Sequence, residues 1–98
     1  MSQYAFCQII ANINSLLEAG GIKDQKGYTL AEWDREGFVG WDAALNTYFL
    51  QLDVGDPPAW WIIKPNGIRS FDELCLLINE LFQQPPGIFH FQNVIRQA

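Results

Sequence analysis

A chain of 98 residues is the size of one domain and can bury a single core without staples. Hydrophobic residues make up 49%, aromatics 14% and charged residues 17%, so the chain folds and carries more apolar surface than one small core hides. The formal net charge of -5, with six Lys and Arg spread along the chain, argues against a nucleic-acid binder, which needs clustered cations, and against docking on an anionic membrane.

Tyr4 to Ala19 reads as an amphipathic helix. Phe6, Ile10, Ile13 and Leu17 recur at helical spacing, Cys7, Ala11 and Leu16 widen the stripe, and Gly20-Gly21 ends it. The next stretch, "GIKDQKGYTLAEWDREG", is polar and bounded by glycines. Thr29 and Glu32 have capping-box spacing, which suits a short helix over Leu30 to Glu36. An extended Tyr28 to Trp33 fits as well, so residues 28–36 stay open.

Two periods compete in "FVGWDAALNTYFLQLDV". Trp41, Leu45, Tyr48 and Leu52 fit a helix. Tyr48, Leu50, Leu52 and Val54 fit one face of a strand, with Thr47, Phe49 and Gln51 on the other. β-branched and aromatic residues favour the strand. Gly55-Asp56-Pro57-Pro58 is turn chemistry, and Ala59 to Ile63 is a second apolar run, so the two pair as an antiparallel hairpin. Phe38 to Trp41 adds a third strand through a turn at Asp42 to Asn46. Lys64 to Gly67 ends the hairpin with a Pro-Asn-Gly turn. Ser70 with Glu73 then opens a capped helix whose stripe is Phe71, Leu74, Leu77 or Ile78, and Leu81. Gln84-Pro85-Pro86-Gly87 stops it, and "IFHFQNVIRQA" is expected to form a last short helix. The expected fold is therefore a single α+β domain over residues 1–98. It is an antiparallel meander of about three strands packed with an N-terminal helix and one or two C-terminal helices.

Few residues invite chemistry. His90 is suited by pKa to acid–base work, but no partner stands at a recognisable spacing, and Phe89 and Phe91 make it a helix residue between packing rings. Cys7 and Cys75, each in an apolar segment, are expected to be reduced and buried. With one histidine so far from both, no zinc spacing exists, and neither a phosphate cradle nor a nucleophile elbow occurs. No metal, cofactor or catalytic set is expected, and the chain reads as a non-enzyme. Met1-Ser2-Gln3 does not resemble a signal peptide, and no run approaches ~18 apolar residues, so a cytoplasmic chain is expected.

Two surfaces stand out. Glu32, Asp34, Glu36, Asp42, Asp53 and Asp56 are opposed by Arg35 alone, which makes either a solvated acidic face or a docking surface for a basic protein partner. The aromatics Trp41, Tyr48, Phe49, Trp60 and Trp61 crowd the middle of the chain. Trp60 and Trp61 are neighbours, and neighbours on a strand point to opposite faces. Either helices sandwich the sheet on both faces, or one aromatic face is left for binding, with a symmetric homodimer as the commonest closure. A third possibility is a small-ligand pocket between sheet and helices, lined by the same aromatics and oriented by Gln51, Asn46 or Asp53.

The stretch "GFVGWDAALNTYFLQLDV…PAWWI" followed by a Ser-capped helix, Phe38 to Phe82, resembles small bacterial orphan proteins with no assigned activity, including those encoded on mobile, integron-type gene cassettes. The resemblance implies the hairpin-then-helix order and an accessory role, with no catalytic residue. The functional expectation is a protein-interaction module that self-associates or binds a partner, an immunity or inhibitor protein being one variant.

Overall fold

The meander has four strands, because the N-terminus contributes one. In the computed structural model, which describes residues 2–97, β1 (Ser2–Ala5), β2 (Gly37–Asp42), β3 (Thr47–Leu52) and β4 (Trp60–Ile62) form one antiparallel sheet in the order β1-β2-β3-β4. Three helices accompany it: α1 (Ile13–Ala19), α2 (Leu30–Glu36) and α3 (Phe71–Leu81). The fold is α+β.

The expected helix over Tyr4 to Ala19 is split. Ser2–Ala5 pairs with β2, Phe6–Ile9 makes a 3-10 turn, and only Ile13–Ala19 is α-helical. Asn12 explains the break. Its side chain leaves the helix to serve the C-terminal segment, Nδ2 donating to Ile88 O at 3.0 Å and Oδ1 accepting from His90 N at 3.0 Å. An Asn that bonds elsewhere offers the backbone an alternative to helix.

The expected last helix, Ile88 to Ala98, does not form over its described part. Residues 88–97 run as an irregular strap across the 3-10 turn and β1. Ala11 N donates to His90 O at 2.7 Å, Gln92 N to Ile9 O at 2.9 Å, and Ser2 Oγ to Arg96 O at 2.9 Å. Phe89 and Ile95 are the buried anchors, an even spacing rather than a helical one.

In the segment left open, 28–36, Leu30–Glu36 is helical and Thr29 is an extended cap that bridges to Lys23. Thr29 Oγ1 accepts from Glu32 N at 3.2 Å and Glu32 Oε1 accepts from Thr29 N at 3.1 Å, a complete capping box. Ser70 caps α3, its Oγ accepting from Glu73 N at 3.1 Å. The Lys64–Gly67 turn closes with Gly67 N donating to Lys64 O at 3.0 Å, and Asn66 takes the left-handed conformation at φ 57°.

One core joins these parts. Phe6, Trp33 and Phe82 form its aromatic centre, with ring centroids 4.9, 5.9 and 5.6 Å apart. Leu74, Ile78 and Leu81 of α3 and Leu30 of α2 join Val39, Leu50 and Leu52 of the sheet in the same cluster. Gly37 is required there: a Cβ would stand 2.8 Å from the Trp33 ring and 2.9 Å from Phe6 Cβ. The molecule is a slab of 38 × 30 × 19 Å, one sheet under one helical layer.

Candidate interaction surface

Strand register sorts the sheet side chains into two faces. Tyr4, Val39, Leu50 and Ile62 stand opposite one another across the four strands. Ser2, Trp41 and Tyr48 form a second row, and Gly37, Leu52 and Trp60 a third. Their large apolar members all belong to or pack on the core. Trp41 and Tyr48 meet edge to face at 4.9 Å, and Tyr48 Oη accepts from Gln97 Nε2 at 3.0 Å. These two aromatics are core residues.

The intervening rows face the other way. Ala5, Phe38, Gln51 and Trp61 form one, Gln3, Gly40 and Phe49 the next, and Asp42 and Thr47 a third. None of them belongs to the core cluster that holds the helices. Phe49 is nonetheless buried, at 5% exposure, and its ring packs close over Gly40: a Cβ there would stand 2.7 Å from the Phe49 ring and would collide with Ser2 O. Trp61 has no such cover and is 61% exposed. Beside it a cleft of about 150 Å³ opens on the same face, lined by Gln3, Phe49, Gln51, Trp61 and Ile63.

Trp60 is fixed inward by Asp24. The Asp24 carboxylate, 5% exposed, accepts from Trp33 Nε1 at 2.8 Å and Trp60 Nε1 at 2.9 Å through Oδ2. Through Oδ1 it accepts from the backbone N–H of Lys26 at 2.8 Å and Tyr28 at 3.0 Å. Four donors replace the water that a buried carboxylate loses. Lys26 Nζ sits 4.0 Å from the Trp60 ring centroid and donates to Ala59 O at 2.6 Å. With Trp60 held inside, alternation sends Trp61 out.

Sequence reasoning passed over Asp24, Phe38 and Ile63. The spacing Asp24 to Gly27 is that of a turn opened by Asp and closed by Gly, so its local role was visible. Its use as an acceptor for two distant indoles was not. Phe38 and Ile63 follow once the register is known.

The six acidic residues do not share one face. Glu32 is spent on its capping box, and Asp42, buried at the end of β2, accepts from Leu45 N at 3.2 Å to close the β2–β3 turn. Asp34 lies beside the Cys7 thiol. Burial, then the Asp34 hydrogen bond and charge, push that thiol above its ordinary pKa. Glu36 and Asp53 are exposed neighbours, Asp53 N donating to Glu36 O at 2.9 Å, and Asp56 is exposed in the β3–β4 loop. Among the described residues no three His, Cys, Asp or Glu side chains are placed to hold a metal ion. The two cysteines are free, and burial with the nearby Asp72 charge lifts Cys75 to about 11.

A second, wider groove of about 450 Å³ lies on the other side of Trp61. Tyr48, Ile62, Ile63, Ile68 and Leu77 line it, with Lys64 its one charged wall. Asn46, offered above as an orienting group, instead donates from Nδ2 to Asn66 Oδ1 at 2.9 Å, tying two turns together. Among the described residues no helix is long and apolar enough to cross a membrane. No family model, no curated protein and no solved structure matches the chain.

Proposed function

We propose that the chain is a non-enzymatic protein-interaction module that works through the helix-free face of its sheet, with Trp61 as the projecting contact residue. The single observation behind this is the 61% exposure of Trp61 on a face that also carries Phe38 and Phe49. Burying a large apolar side chain stabilises by roughly 1.5–3 kcal/mol, and a folded monomer forgoes most of that here. Tryptophan is among the residues on which interfaces concentrate their energy, and Trp61 stands exposed on the edge strand β4. Comparative capture from the native host tests it, with the wild-type chain beside Trp61→Glu. The expected outcome is a specific binding partner, itself or another protein, that Trp61→Glu loses while melting like the wild type. An identical set of partners from both chains would contradict the proposal.

The 450 Å³ groove favours a second reading, a small-ligand site. Its apolar walls and single cation, Lys64, suit an apolar molecule bearing one anionic group.

A further inference from the structure

We infer that the partner of the Trp61 face is a second copy of this chain, docked face to face about a twofold axis, with each Trp61 ring seated in the other copy's cleft. This inference rests on the interaction module just proposed and names its occupant.

Shape is the first support. A twofold interface is self-complementary, so a surface that closes on itself must carry both a projection and a matching recess. The outward rows carry both, side by side. Trp61 projects, and the cleft of about 150 Å³ lined by Gln3, Phe49, Gln51 and Ile63 lies next to it. A cavity of that volume accepts one aromatic ring. Phe49, packed close over Gly40, gives the recess an aromatic wall.

Charge is the second support. Each copy carries a formal charge of -5, so two copies repel wherever acidic residues meet. The outward rows Ala5–Phe38–Gln51–Trp61 and Gln3–Gly40–Phe49 hold no ionisable side chain, and the one carboxylate of the third outward row, Asp42 opposite Thr47, is buried and accepts from Leu45 N. They are a neutral window through which two acidic molecules approach without juxtaposed like charges. The polar groups there, Gln3 and Gln51, are amides, which donate and accept equally and so suit their own copies across a twofold.

Sedimentation equilibrium over a dilution series tests this with three full-length chains: the wild type, Trp61→Glu and Gln51→Glu. The expected wild-type mass rises from one chain to two with concentration. Each variant puts two like charges into the contact and weakens association by about 100-fold or more, with a near-wild-type melting curve. Gln51→Glu keeps the test decisive if Trp61→Glu does not fold. A wild type that stays a single chain at every concentration overturns the second-copy inference. The interaction module itself then stands only if a different partner is lost with Trp61→Glu. A dimer that neither variant weakens overturns both, because the assembly would use another surface.

Discussion

Asp24 sets which tryptophan faces water. Its Oδ2 accepts from the indoles of Trp33 on α2 and Trp60 on β4, so a one-residue slip of β4 would break the Trp60 bond and turn Trp61 inward. Removing the carboxylate leaves two indole N–H groups and two backbone N–H groups without their acceptor. Asp24→Ala is therefore expected to cost about 3 kcal/mol of stability, read as a lower urea midpoint. A midpoint within about 0.5 kcal/mol of wild type would mean that water replaces the carboxylate at no cost. Cys75 makes a pH test at the same scale. Its thiol is lifted from 9.0 to about 11 by burial and by Asp72, so the native state keeps its proton after the unfolded chain has lost it. The contribution to stability is full below the unfolded value of 9.0 and is lost as pH rises toward about 11. The stability of Cys75→Ala is expected to fall less steeply over that window than that of the wild type in paired denaturant titrations. Parallel pH profiles would contradict this.

At the scale of elements, the caps and hairpins were legible and the termini were not. Thr29 with Glu32 and Ser70 with Glu73 announce α2 and α3, and both helices start where those pairs stand. Ser70→Ala is expected to lower the thermal midpoint by a loss of about 1 kcal/mol, the usual worth of such a cap. No change would mean that Glu73, whose Oε2 accepts from Arg69 N at 3.0 Å, holds the helix start by itself. The alternation of Tyr48, Leu50 and Leu52 against Thr47, Phe49 and Gln51 gave both faces of β3 correctly. The N-terminal helix is shorter than its apolar stripe, Ile13–Ala19 instead of Tyr4–Ala19, because the first half of the stripe is satisfied by tertiary contacts. Phe6 and Ile9 reach the core from a 3-10 turn, and Ser2–Ala5 gains a full ladder on β2. The C-terminal strap failed for the complementary reason. Its backbone partners, among them Ile9 O and the Ala11 N–H, lie some eighty residues away and leave no local mark.

For the whole molecule, composition foresaw more apolar surface than one core could hide, and the two-layer slab shows where the surplus went. The core absorbs Trp33, Trp41 and Tyr48, while Trp61 stays outside it. Which aromatics were core could not be read from sequence, because the sorting depends on register and on the Asp24 contact, both non-local. The acidic cluster of the sequence also disperses in space, since Glu32 and Asp42 serve backbone N–H groups and Asp34 flanks Cys7. The most direct measurement is the access of Trp61 to a neutral fluorescence quencher as the protein is concentrated, with Trp61→Phe marking its contribution. The expected result is a readily quenched tryptophan in dilute solution that becomes protected as concentration rises, with no such component in Trp61→Phe. A Trp61 quenched equally well at every concentration would contradict the burial of this face against a second copy.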